Sequence, residues 1–290
     1  MKNTIEPDFL KKHFNKIAVA VTFSSRLEPI IAESGRLKKI ADSEYYFIHV
    51  GHKTSEKEQI LDELFKKYEF EKANIIWGTG NKVNAILDIC ESMKIELLIA
   101  GALSRETMLQ YYIGSVARQI IRKSYCSVLL LSEPAISPRP YKRIAINFSE
   151  ERDNETLALI GISIAVSHKS EKVFLTKETD ANRFKLLLNK DLSEAELKET
   201  QKEIIKEENE VFDSLLKKIE KFDVGELDIS SKLLYGKPGS EIRDFALENR
   251  VDFLVIHSPY KKLNLIDRIF QHDLEYLLEN LPSDILMVHS

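Results

Sequence analysis

The sequence predicts two tandem α/β domains, each a doubly wound, five-stranded parallel sheet with helices on both faces. Three observations predict this fold class. Short apolar strands alternate with amphipathic helices, the alternation occurs twice in 290 residues, and a proline-rich segment separates the two copies. Strands buried on both faces read as nearly continuous apolar runs, so the alternation favours parallel sheets. A chain of this length also fits two domains.

The first copy contains five predicted strands. They are β-branched or otherwise apolar runs at residues 16–22, 45–50, 73–77, 96–100 and 127–131. The segments between them carry apolar residues at helical spacing. Examples after the first strand are Ile30, Ile31, Leu37 and Ile40. This periodicity predicts helices that each bury one face against the sheet.

An internal repeat supports a second domain of the same kind. Four strand segments of the first copy resemble later ones: residues 16–24 and 143–149, 75–78 and 233–236, 96–100 and 252–257, and 127–131 and 284–288. Phe148 lies 125 residues after Phe23, whereas Ile285 lies 157 residues after Val128. The second copy therefore carries about 32 extra residues after its second strand, and we interpret these residues as an insertion into the repeated unit.

The domain boundaries follow from this repeat. Residues 132–140 contain three prolines, which suits an extended connector. We therefore predict a first domain at 1–133, a linker at 134–141 and a second domain at 142–290. Within the insertion, residues 193–222 read as a long amphipathic helix with Ser193 as N-cap and Glu196 at the third helical position. A solvated face explains its many charges, and a protein-contact surface is the alternative.

Composition excludes several classes of protein. Lys and Arg number 42 and Asp and Glu 46, so the net charge of −4 lacks the basic excess of a nucleic-acid binder. No apolar run is long enough for a membrane span. The two cysteines form no C-x-x-C pair, which favours a reducing cytoplasm. Residues 1–140 have a net charge of +3 and the remainder −7, so an anionic ligand is expected in the first half.

The loop after the fourth strand carries the most informative motif. Gly101 ends the strand, Ser104 follows, and Gly114-Ser115 opens the next helix. Backbone amides at a helix start, together with the Ser115 hydroxyl, suit a phosphate group. Residues 78–82, Gly-Thr-Gly-Asn-Lys, form a second candidate turn near the same edge. Two interpretations of this turn are open: it contacts a phosphate or ribose, or it has a purely structural role.

This motif resembles the signature of the universal stress protein family. That signature reads glycine, two residues, glycine, nine residues, glycine, then serine or threonine. Gly101, Gly114 and Ser115 match it, and Ser104 stands at the second glycine. The resemblance covers roughly residues 14–131 and 141–289. It implies flavodoxin-like domains with strand order 3-2-1-4-5, arranged as dimers or as tandem pairs that mimic a dimer.

The resemblance also implies a ligand, because one subset of the family binds ATP or AMP, with Mg²⁺. The implied nucleotide-binding residues in this chain are Ala20, Val21, Thr22, Val50, Gly101, Ser104, Arg105, Gly114, Ser115 and Val116. Thr22 stands where the binding subset has aspartate, and a vestigial structural loop is the alternative. In the second half the corresponding positions are Ser258, Lys261, Gln271 and His272, with Asn147 replacing the aspartate. We therefore expect the second half to contain a degenerate, structural copy of the motif.

Together these features predict a cytoplasmic stress-response protein with a regulatory role whose first half binds an adenine nucleotide. The alternative is a nucleotide-free protein-interaction or small-ligand-binding module of the same fold. The sequence shows no general base or metal cluster, so no dedicated enzyme is predicted, and slow ATP hydrolysis stays open. The edge strands 128–131 and 285–288 are expected to pair as an intrachain pseudo-dimer. A homodimer and an unidentified protein partner are further alternatives.

Overall fold

A single mixed sheet of ten strands forms the centre of the molecule. The computed structural model describes residues 3–4, 9–41, 43–70, 72–104, 111–112, 114–149, 152–180, 194–259 and 274–289. Five strands come from each half of the chain. Within each half the spatial order is third, second, first, fourth and fifth strand. The predicted α/β class and the 3-2-1-4-5 order are therefore confirmed.

The first half follows the predicted alternation of strands and helices. Its elements are β1 (Asn3–Thr4), α1 (Phe9–His13), β2 (Lys16–Ala20), α2 (Leu27–Lys38), β3 (Glu44–Val50), α3 (Ser55–Lys67), β4 (Asn74–Gly78), α4 (Lys82–Ser92), β5 (Leu97–Gly101), β6 (Leu103–Ser104), β7 (Tyr111–Tyr112), α5 (Ser115–Lys123) and β8 (Ser127–Leu131). The first sheet strand ends two residues before the predicted position 22. Val21 still donates its amide to the Ile48 carbonyl at 2.9 Å, and the chain then turns away.

The second half repeats this order around the insertion. Its elements are β9 (Arg143–Phe148), α6 (Asn154–His168), β10 (Lys172–Asp180), α7 (Glu194–Ile219), β11 (Phe222–Asp223), β12 (Asp228–Gly236), α8 (Ser240–Glu248), β13 (Phe253–His257) and β14 (Asp284–Val288). Residues 274–279, between β13 and β14, are also helical. Gly161 lies inside α6. A Cβ there would lie 2.4 Å from Ile146 Cδ1, so the glycine lets α6 approach β9 closely.

The two halves join through their last strands. β14 pairs antiparallel with β8, with Leu286 opposite Leu129, and this makes the sheet continuous. The predicted pairing of the edge strands across the halves is confirmed. Polar contacts support the junction. Asp284 accepts hydrogen bonds from the Ser132 amide at 2.8 Å and from the Tyr141 hydroxyl at 2.7 Å, and Arg118 of α5 forms an ion pair with Glu275.

Apolar side chains cover both faces of the sheet. One cluster runs across both halves on the same face and includes Val19, Phe47, Ile99, Leu129, Ile146, Val255 and Leu286. The opposite face carries two separate clusters. One lies in the first half and includes Ala18, Ile48, Leu98, Cys90 and Cys126. The other spans the junction, since it combines Val128 and Leu130 of β8 with Ala145, Leu254 and Ile285 of the second half. The shared cluster ties the halves into one folded unit.

The predicted insertion helix is present as α7, which lies between the second and third strands of the second half. It ends at Ile219 rather than at residue 222, because Phe222 enters β11. Ser193 lies outside the described residues. Near its carboxyl end α7 buries Phe212 against Phe148, with ring centroids 6.0 Å apart. A protein partner for its charged face stays a prediction.

None of the helices in the described part of the chain combines the length and the apolar character that crossing a membrane requires.

Candidate functional site

The carboxyl ends of β2, β3 and β5 meet at one edge of the first half, where ligands of parallel α/β sheets bind. Half-buried Ala20, Val50 and Val116 pack against the apolar cluster on one face of the sheet. They come from β2, β3 and α5, so three elements supply one apolar wall. The Val21 side chain, which is 3% exposed, packs into the cluster on the opposite face. The structure therefore brings three of the four predicted apolar residues together.

Thr22 extends this edge into solvent. It is exposed, and its hydroxyl oxygen lies 3.3 Å from the Ser24 hydroxyl oxygen. A hydroxyl at this position offers a neutral hydrogen-bonding group where an aspartate would carry a negative charge. The site thus keeps a polar contact without adding repulsion toward an anionic ligand.

The predicted phosphate-binding residues surround the start of α5. Gly114 is the buried N-cap residue of this nine-residue helix, and Ser115 at its first position is exposed. Glycine has no side chain to accept hydrogen bonds from the first amides of the helix, so these amides are suited to an anion. Ser104 belongs to β6, which pairs with β7, but its side chain lies outside the described residues, as does the whole of Arg105.

Gly101 has a packing role at the end of β5. A Cβ at this position would lie 2.9 Å from Ile30 Cδ1, so the end of the Ile30 side chain would have to shift to admit a larger residue. The glycine at the end of β5 thus allows α2 to pack closely at this edge. Gly78 ends β4 near the same edge, and its carbonyl accepts the Gly51 amide at 2.9 Å.

Arg26 is a cation at this edge that sequence reasoning missed. It precedes α2, and its guanidinium donates a hydrogen bond to the Ala102 carbonyl, directly after β5. Burial lowers the pKa of Arg26 from its ordinary value, and Glu133 opposes this effect. The guanidinium stays charged, because its pKa starts far above neutrality. No motif marks Arg26 in the sequence, since the sheet order alone brings it beside β5.

A group of aromatic rings occupies the opposite side of the first-half edge. Phe23 stacks on Trp77 at 6.3 Å between ring centroids, and His49 contacts both rings edge-on. His49 Nδ1 lies 3.1 Å from the Val21 carbonyl oxygen. Lys57 Nζ lies 3.4 Å from His49 Nε2 and 5.1 Å from the centre of the Phe23 ring. These contacts fill the space beside β2 with the chain's own side chains.

The corresponding edge of the second half contains a small cavity of about 90 Å³. Its lining includes Asn147, Arg152, Glu178, Gly239, His257 and Ser258. Glu178 Oε1 accepts the amides of Gly239 at 2.8 Å and Ile242 at 3.0 Å at the start of α8, and Oε2 accepts from Asn147 Nδ2 at 3.1 Å. A carboxylate thus occupies the anion-binding position at this helix, which disfavours a phosphate there. Lys261, Gln271 and His272 lie outside the described residues.

A larger cavity of about 410 Å³ lies between the halves. Its lining comes from α1, α6, the amino ends of β5 and β8 and the carboxyl ends of β13 and β14, and consists of His13, Phe14, Ile95, Glu96, Tyr125, Cys126, Ser127, Asp153, Thr156, Leu157, Ile160, His257, Val288 and His289. Burial, together with the positive charge of Arg152, lowers the pKa of His257 to about 4. The carboxylate of Glu96 is already engaged by the amides of Asn15 and Lys16.

Metal binding has no basis in the described geometry. Among the residues that the structure describes, no group of three or more His, Cys, Asp or Glu side chains is placed to hold a metal ion.

Comparisons with known proteins agree with the fold and the motif. Residues 51–132 match the model of the universal stress protein family. A putative universal stress protein from Pseudomonas aeruginosa UCBPP-PA14 is 15% identical and superposes with a TM-score of 0.70, covering 97% of this chain and 95% of that one. No curated protein matches the chain in sequence.

Two further structures of similar length share this architecture. A functionally unknown protein from Pseudomonas aeruginosa PAO1 is 14% identical, with a TM-score of 0.64 over 97% of this chain and 94% of that one. A universal stress protein from Archaeoglobus fulgidus DSM 4304 is 13% identical, with a TM-score of 0.61 over 95% and 96%. Identities this low establish a common fold. Residues 51–132 thus resemble the universal stress protein family, and the chain has the tandem fold seen in these full-length structures.

Proposed function

We propose that this protein is a cytoplasmic regulatory protein that binds an adenine nucleotide, ATP or AMP, at the carboxyl edge of its first half. One observation carries the proposal. The apolar wall of Ala20, Val50 and Val116 adjoins the glycine-capped start of α5. An adenine ring needs an apolar surface, and its phosphates need helix amides and positive charge. This edge offers both, since α5 supplies Val116 to the wall as well as the amides of its first turn.

The electrostatics of the two halves favour the same place. Residues 1–140 are net positive and the remainder is net negative. Arg26 adds a cation beside β5 in the first half, whereas Glu178 places a carboxylate at the start of α8 in the second. A nucleotide with several negative charges, bound as its Mg²⁺ complex in the case of ATP, is therefore directed to the first half. The role is regulatory binding, with no dedicated catalysis and at most slow ATP hydrolysis.

Isothermal titration of the nucleotide-free protein with ATP and Mg²⁺, and separately with AMP, tests this proposal. We expect binding in the micromolar range. Gly114→Val should weaken it by about ten-fold or more, because a side chain at the N-cap blocks the approach of a phosphate to the amides. Val50→Glu should do the same by placing a negative charge on the apolar wall.

Matched controls lie in the second half. Ser240→Ala changes the first residue of α8 and should leave the nucleotide affinity unchanged, whereas Ser115→Ala at the start of α5 should weaken it several-fold. An absence of binding heat after bound nucleotide has been stripped would overturn the proposal. So would equal effects of Ser115→Ala and Ser240→Ala. ATP turnover at the rate of the buffer blank is expected for every variant.

The cavity between the halves favours a second candidate function, binding of a small molecule without phosphate groups. Its apolar wall of Phe14, Leu157 and Ile160 faces histidines and carboxylates, so a small neutral or cationic ligand fits it best. A thermal-shift screen of such compounds tests this candidate. Thr156→Trp, which fills the cavity, should abolish any shift. Thr200→Trp on α7 is the matched control.

A further inference from the structure

The cavity between the halves combines a buried apolar floor with exposed polar residues. The floor includes Phe14, Leu157, Ile160 and Val288, each at most 5% exposed. The volume of about 410 Å³ lies in the range of about 300–1,000 Å³ that is usual for small-molecule sites. We propose that this cavity binds a small organic amine in its protonated form, with the apolar body on the floor and the ammonium group beside exposed carboxylates. This inference rests on the second function proposed above, binding of a small molecule in the same cavity.

Two exposed carboxylates in the lining come from different halves of the chain. Glu96 directly precedes β5, and its Oε2 accepts the amides of Asn15 at 2.6 Å and Lys16 at 3.0 Å. These bonds hold the carboxylate in place, and its other oxygen, Oε1, can accept from a ligand. Asp153 is the N-cap of α6, and its Oδ1 accepts the Thr156 amide at 3.0 Å. An ammonium group has three N–H donors, so it can bond acceptors from both halves at once.

The other charges at the cavity also favour a cation. The amide at the start of α6 lowers the pKa of Asp153, so this carboxylate is ionised. The helix start itself contributes about half a positive charge, which is less than the full negative charge of Asp153. Burial, together with the charge of Arg152, lowers the pKa of His257 and His289, so both are uncharged at neutral pH.

Arg152 is the nearest cation that could oppose this site, and it is directed elsewhere. Its guanidinium donates to the Ser258 carbonyl at 3.3 Å, and it lines the second-half edge cavity. Among the described residues that line the cavity between the halves there is no lysine or arginine. The two carboxylates therefore dominate the charge of this lining.

Tyr125 adds an aromatic surface to the same lining. It is 56% exposed, an unusual position for a large ring, and it directly precedes Cys126, which is also in the lining. The face of an aromatic ring attracts an ammonium group. The ligand class is therefore an aliphatic ammonium group on a short apolar body. Phenethylamine represents this class, because an aliphatic amine is protonated at neutral pH, as the lysine side chain is.

Isothermal titration with three probes that share a phenyl ring tests this inference. Phenethylamine carries the ammonium group, phenethyl alcohol carries a neutral hydroxyl in its place, and phenylacetate carries a negative charge. We expect the amine to bind about ten-fold more tightly than the alcohol, and phenylacetate to give no binding heat. Equal affinity for amine and alcohol would overturn the inference and leave the proposed small-molecule site intact. No binding of the amine would overturn the inference, and the small-molecule site fails with it only if the thermal-shift screen also finds no ligand.

Charge-neutral variants locate the ammonium group. Glu96→Gln and Asp153→Asn each remove one charge but keep an acceptor oxygen for the backbone amides. Each should weaken binding of the amine by about three-fold, and the double variant by about ten-fold, with the affinity for the alcohol unchanged. Glu155→Gln is the matched control, because Glu155 belongs to the first turn of α6 but pairs with Lys218 of α7. Equal effects of Asp153→Asn and Glu155→Gln would show that only the overall charge matters and would overturn the inference.

A measurement on the wild-type protein covers variants that fail to fold. Nuclear Overhauser effects between the phenyl ring of the bound amine and the methyl groups of Leu157, Ile160 and Val288 should place the probe on the apolar floor. Thr156→Trp should remove both these effects and the binding heat. Effects to the methyl groups of Val50 and Val116 instead would place the amine at the first-half edge and overturn the inference.

Discussion

The carboxyl edges of the two halves share one strand order and differ in what they place at the helix starts. In the first half, the helix after the third strand is capped locally by Asn81, and α5 begins at Gly114, which has no side chain of its own to accept from the first amides. In the second half, Glu178 reaches from β10 to the amides of Gly239 and Ile242. The repeat therefore preserves the topology, while a few edge residues decide whether a helix start attracts an anion or is already occupied by a carboxylate of the chain.

Both edges belong to one continuous sheet, and Leu129→Asp tests at the junction whether the two halves depend on each other for stability. Leu129 is 1% exposed and lies opposite Leu286 of β14. A charge buried there should lower the free energy of unfolding by about 4 kcal/mol and reduce solubility. Urea unfolding followed by circular dichroism measures the loss. Tyr125→Asp at an exposed position is the control. Unchanged stability of Leu129→Asp would mean that the halves do not share a core.

Acid should weaken the junction through His168, which α6 places against the first half. Burial, together with the positive charge of Arg36, lowers the pKa of His168 from 6.5 to about 4. The unfolded chain therefore takes up the proton first, and stability falls as the pH drops from about 6.5 toward 4. The full loss is about 3 kcal/mol. His257 of the second half, with a pKa of about 4, acts in the same direction.

Unfolding free energies measured between pH 7.5 and 5 test this dependence. His168→Gln keeps an acceptor for the Tyr141 amide, which lies 3.1 Å from His168 Nδ1, and removes the titration. The slope of the unfolding free energy against pH is compared between the wild type and the variant, and the difference gives the contribution of His168. A variant with the same pH slope as the wild type would show that His168 titrates normally in the folded protein.

Glu178→Ala tests the second-half edge directly. The substitution leaves the Gly239 and Ile242 amides and the Asn147 side chain without their acceptor, and should lower the free energy of unfolding by about 2 kcal/mol. Glu178→Gln keeps an acceptor oxygen and should cost about half as much. Because the carboxylate repels anions, Glu178→Gln should also permit weak sulfate binding near α8. Equal losses for the two variants would show that hydrogen bonding at this helix start contributes little.

Sequence reasoning predicted the fold well because its signals are local or repeated. The five strands of each half follow from apolar runs and from the internal repeat, and the family resemblance supplied their order in the sheet. The pairing of β8 with β14 was expected because both are edge strands. Of the candidate site, the sequence-predicted residues Ala20 and Val50 lie at the same edge as the start of α5, and Val116, expected beside the phosphates, packs with them against one apolar cluster. Their contacts with a nucleotide stay a prediction.

The contacts that sequence reasoning missed depend on the sheet order or on the exact register of a strand. Arg26 reaches Ala102 only because two elements that are distant in sequence become neighbours in space. Val21 faces the opposite side from Ala20 because successive strand residues alternate. The Glu178 contact needs β10 beside both β9 and β12. No regular spacing of residues in the sequence indicates such contacts.

Asn81→Ala gives the matched test in the first half, with the smallest expected effect. Asn81 Oδ1 accepts the amides of Val83 at 3.0 Å and Asn84 at 3.2 Å, so α4 is capped from within its own turn. Loss of such a cap lowers the free energy of unfolding by about 1 kcal/mol. Asn81→Asp should retain the cap and place a carboxylate at the start of α4, as Glu178 does for α8. If anion repulsion at this edge matters, Asn81→Asp should weaken ATP binding while Asn81→Ala leaves it unchanged. Equal ATP affinity for both variants would show that charge at the start of α4 does not explain the difference between the two halves.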